Sequence, residues 1–263
     1  MIRPVRKLLL YSVGLMVGFV PLLPGCAAAR HEVRTPVPII PGQPVVFSVD
    51  GAGKYNGTTS ALDQVVKEER LPLTVVPVEW SHGRGRIISD QTDCPHAREQ
   101  GQRLAEQIMV VRESCPSSKV YIVAHSAGSL VALSAAEQLP PNSVEHIVLL
   151  APAVSADYDV RPALRSSREG MDVFTSERDV LFLRWGVALI GTTDRQRTTH
   201  AAGRVGFQPS VQAPEDAALY SKLRQHSWHE CVEWTGHNGG HYGPNHPRFL
   251  RAYVLPALQI KRS

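Results

Sequence analysis

Two textures of apolar residues alternate along this chain. The first is the short, nearly continuous run: Val45 to Val49, Leu73 to Val78, Val120 to Ala124, His146 to Leu150, Met171 to Thr175 and a weaker one at Leu223 to His226. Apolar and β-branched residues at almost every position suit strands buried on both faces. The second is the spaced pattern. Ala61, Leu62, Val65 and Val66 recur on one face of a helix expected from about Thr59 to Arg70, with Thr58 or Thr59 positioned to cap it. Ala97, Gly101, Leu104, Ala105, Ile108 and Val111 do the same after a helix start at Asp93 and Pro95. A run of small and apolar residues from Gly128 ends at Pro140-Pro141-Asn142, and 247–255 reads as a closing helix bounded by prolines. Strands and helices in alternation predict an α/β fold with a mostly parallel central sheet and helices on both faces. In such sheets ligands bind beyond the carboxyl ends of the strands.

The first 44 residues follow neither pattern. Arg3, Arg6 and Lys7 precede an apolar run from Leu8 to Leu23, which gives way to Pro24-Gly25-Cys26-Ala27-Ala28-Ala29. This is the layout of an export signal, shorter than the roughly 20 apolar residues of a spanning helix. Leu23-Pro24-Gly25-Cys26 resembles the bacterial lipoprotein box, although Pro24 departs from the small or β-branched residue usual there. That resemblance implies lipid attachment at Cys26, with ordinary cleavage near Ala29 as the alternative. Two acyl chains would hold the protein on a membrane. The expected organisation is a signal over 1–25, a tether over 26–44 carrying Pro36, Pro38, Pro41 and Pro44, and one domain over 45–263. The protein is expected to be exported, and either anchored in a bacterial cell envelope or free in the periplasm or medium.

Charge then narrows the partners. The net charge is +4 from 28 Lys and Arg against 24 Asp and Glu. Three of the positive charges lie in the first 25 residues, so 25 remain against 24 from Cys26 onward, a net of +1. Nothing in that balance points to nucleic acid. Cys94 and Cys115 fall at opposite ends of a predicted helix, roughly 25 Å apart at 1.5 Å per residue, beyond the roughly 7 Å reach of a disulfide. Cys94, Cys115 and Cys231 are therefore expected as small buried apolar residues, a bridge from Cys231 remaining the alternative.

The chemistry concentrates where the Val120 to Ala124 run meets the next helix without a spacer. Ala124-His125-Ser126-Ala127-Gly128 is a strand, a tight corner and a helix start, and a serine at such a corner needs small residues two before and two after it. Ala124 and Gly128 meet that need. This pentapeptide resembles the nucleophile elbow of the α/β-hydrolase superfamily, alanine replacing the first glycine as in some bacterial lipases of that fold. The resemblance covers the chain from about Val45 onward.

It implies a serine hydrolase of esterase or lipase type, acting on an acyl ester without a cofactor, and it orders the partners as serine, acid, histidine. Ser126 is then the nucleophile. Asp179, a few residues past the Met171 to Thr175 strand, matches the position of the acid, with Glu177 and Asp157 as rivals. His241, after Asn238-Gly239-Gly240 and before the closing helix, matches the base, with His237 as the alternative. Backbone N–H groups of Ala52, in the Asp50-Gly51-Ala52-Gly53 turn, and of Ala127 match the oxyanion donors. Gly51, His125 and Trp80 are expected at the pocket, Trp185, Trp228 and Trp234 in core or pocket wall, and the long 186–220 segment as a shaper of the pocket. His226, His229, His237, His241 and His246 crowd the last forty residues at spacings that fit no standard metal set, so no metal is expected. Gly51-x-Gly53 is too sparse for a dinucleotide fingerprint. A non-catalytic surface protein using the same scaffold to bind is the competing reading.

Overall fold

The computed structural model describes residues 39–258 apart from 181–182, 184–186 and 196–199. The expected signal, Cys26, most of the tether and Trp185 lie outside the described residues. Six strands form one sheet: β1 (Val45–Val49), β2 (Thr74–Pro77), β3 (Val120–His125), β4 (His146–Leu150), β5 (Met171–Thr175) and β6 (Leu223–Ser227). Their order is β2-β1-β3-β4-β5-β6 and every pairing is parallel. The four inner strands are buried throughout, which is why they read as continuous apolar runs. Pro77 falls on β2 at one edge, where a missing N–H costs least. The polar β6 forms the other edge and is mostly exposed.

Alternate residues of each inner strand face opposite helical layers, as the two-residue pleat requires. Val45, Phe47, Val49, Ile122, Ala124, Ile147 and Leu149 pack in one core with α3 (Cys94–Ser114) and α4 (Gly128–Gln138). Val46, Tyr121, Val123, Val148 and Leu150 pack in the other, with α1 (Gly57–Glu68) and the closing helical stretch over 247–257. α3 starts where expected, Asp93 capping it by accepting the His96 N–H at 3.0 Å. The remaining short helices are α2 (Ile87–Thr92), α5 (Arg161–Ser166), α6 (Val187–Ile190), α7 (Ala202–Val205) and α8 (Pro214–Tyr220).

The structure corrects several expectations. α1 begins two residues before Thr59, after Asn56 in a left-handed conformation, and neither Thr58 nor Thr59 caps it. Its first amides are met from a distance: Asp50, at the end of β1, accepts the Thr58 N–H at 2.7 Å and the Thr59 hydroxyl at 2.5 Å. Ordered packing also begins ahead of Val45, because Ile39 lies against the core and the Gly42 N–H donates to Ser118 Oγ at 3.1 Å. Cys115 is buried, but Cys94 is half-buried and Cys231 exposed, and all three are free thiols. Trp234 is 63% exposed rather than in core or pocket wall.

Candidate active site

The pairing register decides where the functional side chains gather. Val49 of β1 is level with Ala124 of β3, and His125 with Leu150 of β4, so the chain leaves these strands at one edge of the sheet. Ser126 follows at once. Its N–H still donates to the Leu150 carbonyl at 2.9 Å, while its backbone turns to φ 52°, the left-handed region that a side chain normally avoids. Such a conformation costs of order 1–3 kcal/mol and persists only where its surroundings impose it. The imposition is visible at Gly128: a Cβ there would sit 2.4 Å from the Asp50 carbonyl oxygen and 2.8 Å from that of Val49. Only glycine lets α4 start this close to the end of β1.

Ser126, His241 and Asp179 form one hydrogen-bonded chain. Ser126 Oγ is 2.8 Å from His241 Nε2, and His241 Nδ1 is 2.5 Å from Asp179 Oδ2. All three are buried. Asp179 follows β5 by four residues and also accepts the Leu183 N–H through its other oxygen, at 3.4 Å. The rivals Glu177 and Asp157 are exposed. The His241 loop is tied down by Ser176 Oγ, which donates to the Gly239 carbonyl at 2.6 Å. His125 Nε2–H adds a second tie, to the His241 carbonyl at 3.0 Å. Burial, reinforced by the nearby His241, holds His125 down to about 3. It is a neutral donor.

His237 occupies a different niche. Its Nδ1 accepts the Gly239 N–H at 3.2 Å, and its ring packs edge-on against Phe249. Burial lowers it to about 4, against a weaker upward pull from the Asp179 charge. Its hydrogen bonds brace the loop that carries His241.

The turn after β1 lies against the serine. A Cβ on Gly51 would stand 3.0 Å from His125 Nδ1 and 3.1 Å from Ser126 Cβ, so any side chain there would press on both. Among the described residues, neither the Ala52 nor the Ala127 N–H donates to another backbone carbonyl, whereas those of Gly53, Thr58 and Ser126 are all engaged. Two carboxylates fix this turn. Asp50 binds the first turn of α1, and its burial raises it above the usual carboxylate range in spite of the hydrogen bonds from Thr59 and Thr58. Asp90, fully buried, accepts the Gly53 N–H at 2.7 Å, Ser81 Oγ at 2.6 Å and the His82 N–H at 2.8 Å.

A cavity of about 420 Å³ opens over Ser126 and His241. Gly51, Ala52 and His125 line it, as expected, but Trp80 does not. The indole lies in the core with its N–H donated to the Asp50 carbonyl at 2.8 Å, a buried acceptor that draws it behind the turn and away from the cleft. The 186–220 segment contributes Val187 and Ile190. Not anticipated were Ile87, Ile88 and Gln91 of α2. The Ile87-Ile88 pair, stranded in a polar, glycine-rich loop, was the available signal.

The polar cluster at the β6 edge is separate. Asp172 is bound by His146 at 2.6 Å, by Arg224 at 3.0 Å and by His226. Burial would raise its pKa, but these bonds outweigh burial and hold it far below the usual range. Among the described residues, no group of three or more His, Cys, Asp or Glu side chains is arranged to hold a metal ion.

No curated protein matches this chain. Among solved structures it is similar to a Trichoderma reesei cutinase in complex with a phosphonate inhibitor, at 19% identity and a TM-score of 0.36, over 46% of this chain and 58% of the cutinase. The chain thus spans little more than half of that relative's length. It is also similar to a cutinase-like protein from Cryptococcus sp. (12% identity, TM-score 0.42, 82% of this chain and 95% of that one). A third likeness is to the catalytic core domain of acetyl xylan esterase from Trichoderma reesei (13% identity, TM-score 0.38, 83% and 96%). Across residues 26–192 the sequence matches the model of a family described as "Alpha/beta hydrolase of unknown function (DUF900)", and the chain belongs to that family.

Proposed function

We propose that this α/β hydrolase cleaves an ester-type acyl bond through a covalent acyl-serine. The observation that carries the reading is the buried chain from Ser126 through His241 to Asp179 at the carboxyl edge of the sheet. A serine hydroxyl is a weak nucleophile until an adjacent base takes its proton. In the proposed cycle Ser126 Oγ bonds to the substrate carbonyl carbon as its proton passes to His241 Nε2. The carbonyl oxygen becomes an oxyanion, held by the Ala52 and Ala127 N–H groups. Collapse breaks the bond to the leaving oxygen, which receives the proton from His241. Water then attacks the acyl-serine, giving its proton to His241, and the second collapse returns that proton to Ser126. Asp179 keeps Nδ1 protonated and stabilises the imidazolium. No step calls for a cofactor.

A fluorophosphonate probe tests this directly. Folded wild-type protein is expected to label on one residue, and Ser126→Ala to lose the label. Failure of the folded wild-type chain to label would overturn the reading in favour of a binding scaffold. From the sequence we also propose export with lipid attachment at Cys26. Incorporation of labelled fatty acid, lost in Cys26→Ser, is the expected result, and a wild-type chain cut near Ala29 and free of lipid would refute it.

A further inference from the structure

The walls of the cavity are apolar in a way that specifies the substrate. Several of the polar side chains that border it spend hydrogen bonds on the protein. Asp50 is bound to Thr58 and Thr59, Gln91 Nε2 donates to the Gly191 carbonyl at 3.1 Å, Asn245 Oδ1 accepts from Thr58 Oγ1 at 2.9 Å, and His125 donates to the His241 carbonyl. Ile87 and Ile88 of α2, Val187 and Ile190 of α6, and Leu183 supply a continuous share of apolar lining, with Tyr55, Asn56 and Tyr242 also at its border. A sugar or peptide placed there would lose hydration without matching partners, a cost of order 1–3 kcal/mol for each polar group. A hydrocarbon chain would lose none.

The mouth carries the same signal. Ten large apolar side chains are exposed among the described residues, and five of them, Tyr55, Ile87, Ile88, Ile190 and Tyr242, line this one cavity. Scattered exposed apolar residues need no explanation, but a contiguous set around a pocket marks a place where apolar matter is received. Size completes the argument. A cavity of 420 Å³ falls in the range of sites that take a small organic ligand, with room beside the ester unit for an acyl chain.

We propose that α2 and α6 form an acyl site that takes a linear saturated chain of medium length in preference to acetyl, read chiefly by Ile88 and Ile190. The inference rests on Ser126 being the nucleophile, as proposed above. The acyl group stays in the site as the acyl-serine while the alcohol leaves, so the fixed apolar wall belongs to the acyl side.

The test uses the full-length protein and a series of 4-nitrophenyl esters from two to sixteen acyl carbons below their critical micelle concentrations. kcat/KM is expected to rise about two- to fourfold per methylene over the short chains, pass through a maximum at an intermediate length and fall beyond. Ile88→Glu and Ile190→Glu, at residues that are exposed or nearly so, are expected to lower the ratio of octanoyl to acetyl kcat/KM at least tenfold. A flat profile, a maximum at acetate, or an unchanged ratio in both variants would overturn the proposal. So would acetate esters of rising alcohol length showing the same chain dependence in place of the acyl series. Fluorophosphonate labelling of Ser126 separates the two claims: labelling with a flat profile sinks the acyl site alone, and absence of labelling sinks the nucleophile itself.

Discussion

Asp90 makes no contact with the candidate triad among the hydrogen bonds described, yet its substitution should cost activity as well as stability. Its Oδ2 accepts the Gly53 N–H and Ser81 Oγ, and its Oδ1 accepts the His82 N–H and Nδ1–H, at 2.6–2.9 Å in a fully buried site. In Asp90→Asn one oxygen becomes an NH₂ group. Whichever way the amide is turned, one pair of donors loses its acceptor. At about 1.5–3 kcal/mol for each of the two hydrogen bonds to a charged group, the loss is about 3–6 kcal/mol. Turning the amide oxygen toward His82 releases the Gly53 N–H and with it the turn that carries Ala52. A displacement of about 1 Å at a catalytic group costs about 10²-fold, and losing one oxyanion donor about 10²–10³-fold. kcat on a chromogenic ester is therefore expected to fall about 10²-fold with KM within about threefold, as the donor acts on the oxyanion and not on the ground state. The assay is run at a temperature where thermal unfolding shows the variant fully folded. A variant with a lowered melting temperature and a kcat within threefold of wild type would refute the role assigned to Asp90.

Three further outcomes are expected. Asp179→Asn, which removes the acceptor that fixes the His241 tautomer, should lower kcat about 10⁴-fold with near-native circular dichroism; a loss below tenfold would exclude Asp179 as the orienting acid. Gly128→Ala drives a methyl to 2.4 Å from the Asp50 carbonyl oxygen and should destabilise by about 1–3 kcal/mol in urea titrations, while an unchanged midpoint would show that α4 is free to slide. Stability should also fall with acid. His125 and His237 are lowered from 6.5 to about 3 and about 4, so below about pH 6.5 the unfolded chain takes up protons that the native one refuses. The loss is about 2 kcal/mol per histidine between pH 7 and pH 5. Urea midpoints at the two pH values measure it, His237→Gln should remove about half, and equal stability at both pH values would contradict the burial of these rings as neutral groups.

What was legible in the sequence and what was not divide along a physical line. The inner strands read clearly because burial on both faces forces an unbroken apolar run. The corner at Ser126 read clearly because a left-handed serine tolerates only small neighbours. Asp179 and His241 were found through chain order and resemblance, each in a loop that returns to the strand edge, and the structure brings them to 2.5 Å of each other. The glycines before His241 and its spacing to the closing helix favoured it over His237 by resemblance; in the structure both are buried, the His241 ring meeting Ser126 and the His237 ring meeting the loop's own backbone.

The residues that escaped are those whose role is fixed by a partner far along the chain. Trp80 reads as a pocket wall because its loop leaves a strand edge, but an indole N–H seeks an acceptor when buried, and the Asp50 carbonyl thirty positions earlier supplies one. Asp50 reads as an ordinary turn residue, and Asp90 carries no signal in the linear sequence. Each became a clamp only when folding brought it an orphan amide, at Thr58 for Asp50 and at Gly53 for Asp90. The two clamps flank Ala52, so its N–H is positioned by carboxylates that the linear pattern gave no reason to group. Local pattern and resemblance singled out the residues proposed to react. The rigidity that the proposed chemistry needs, a backbone N–H held still before substrate arrives, comes from contacts over 8 and 37 positions of sequence that no local period encodes.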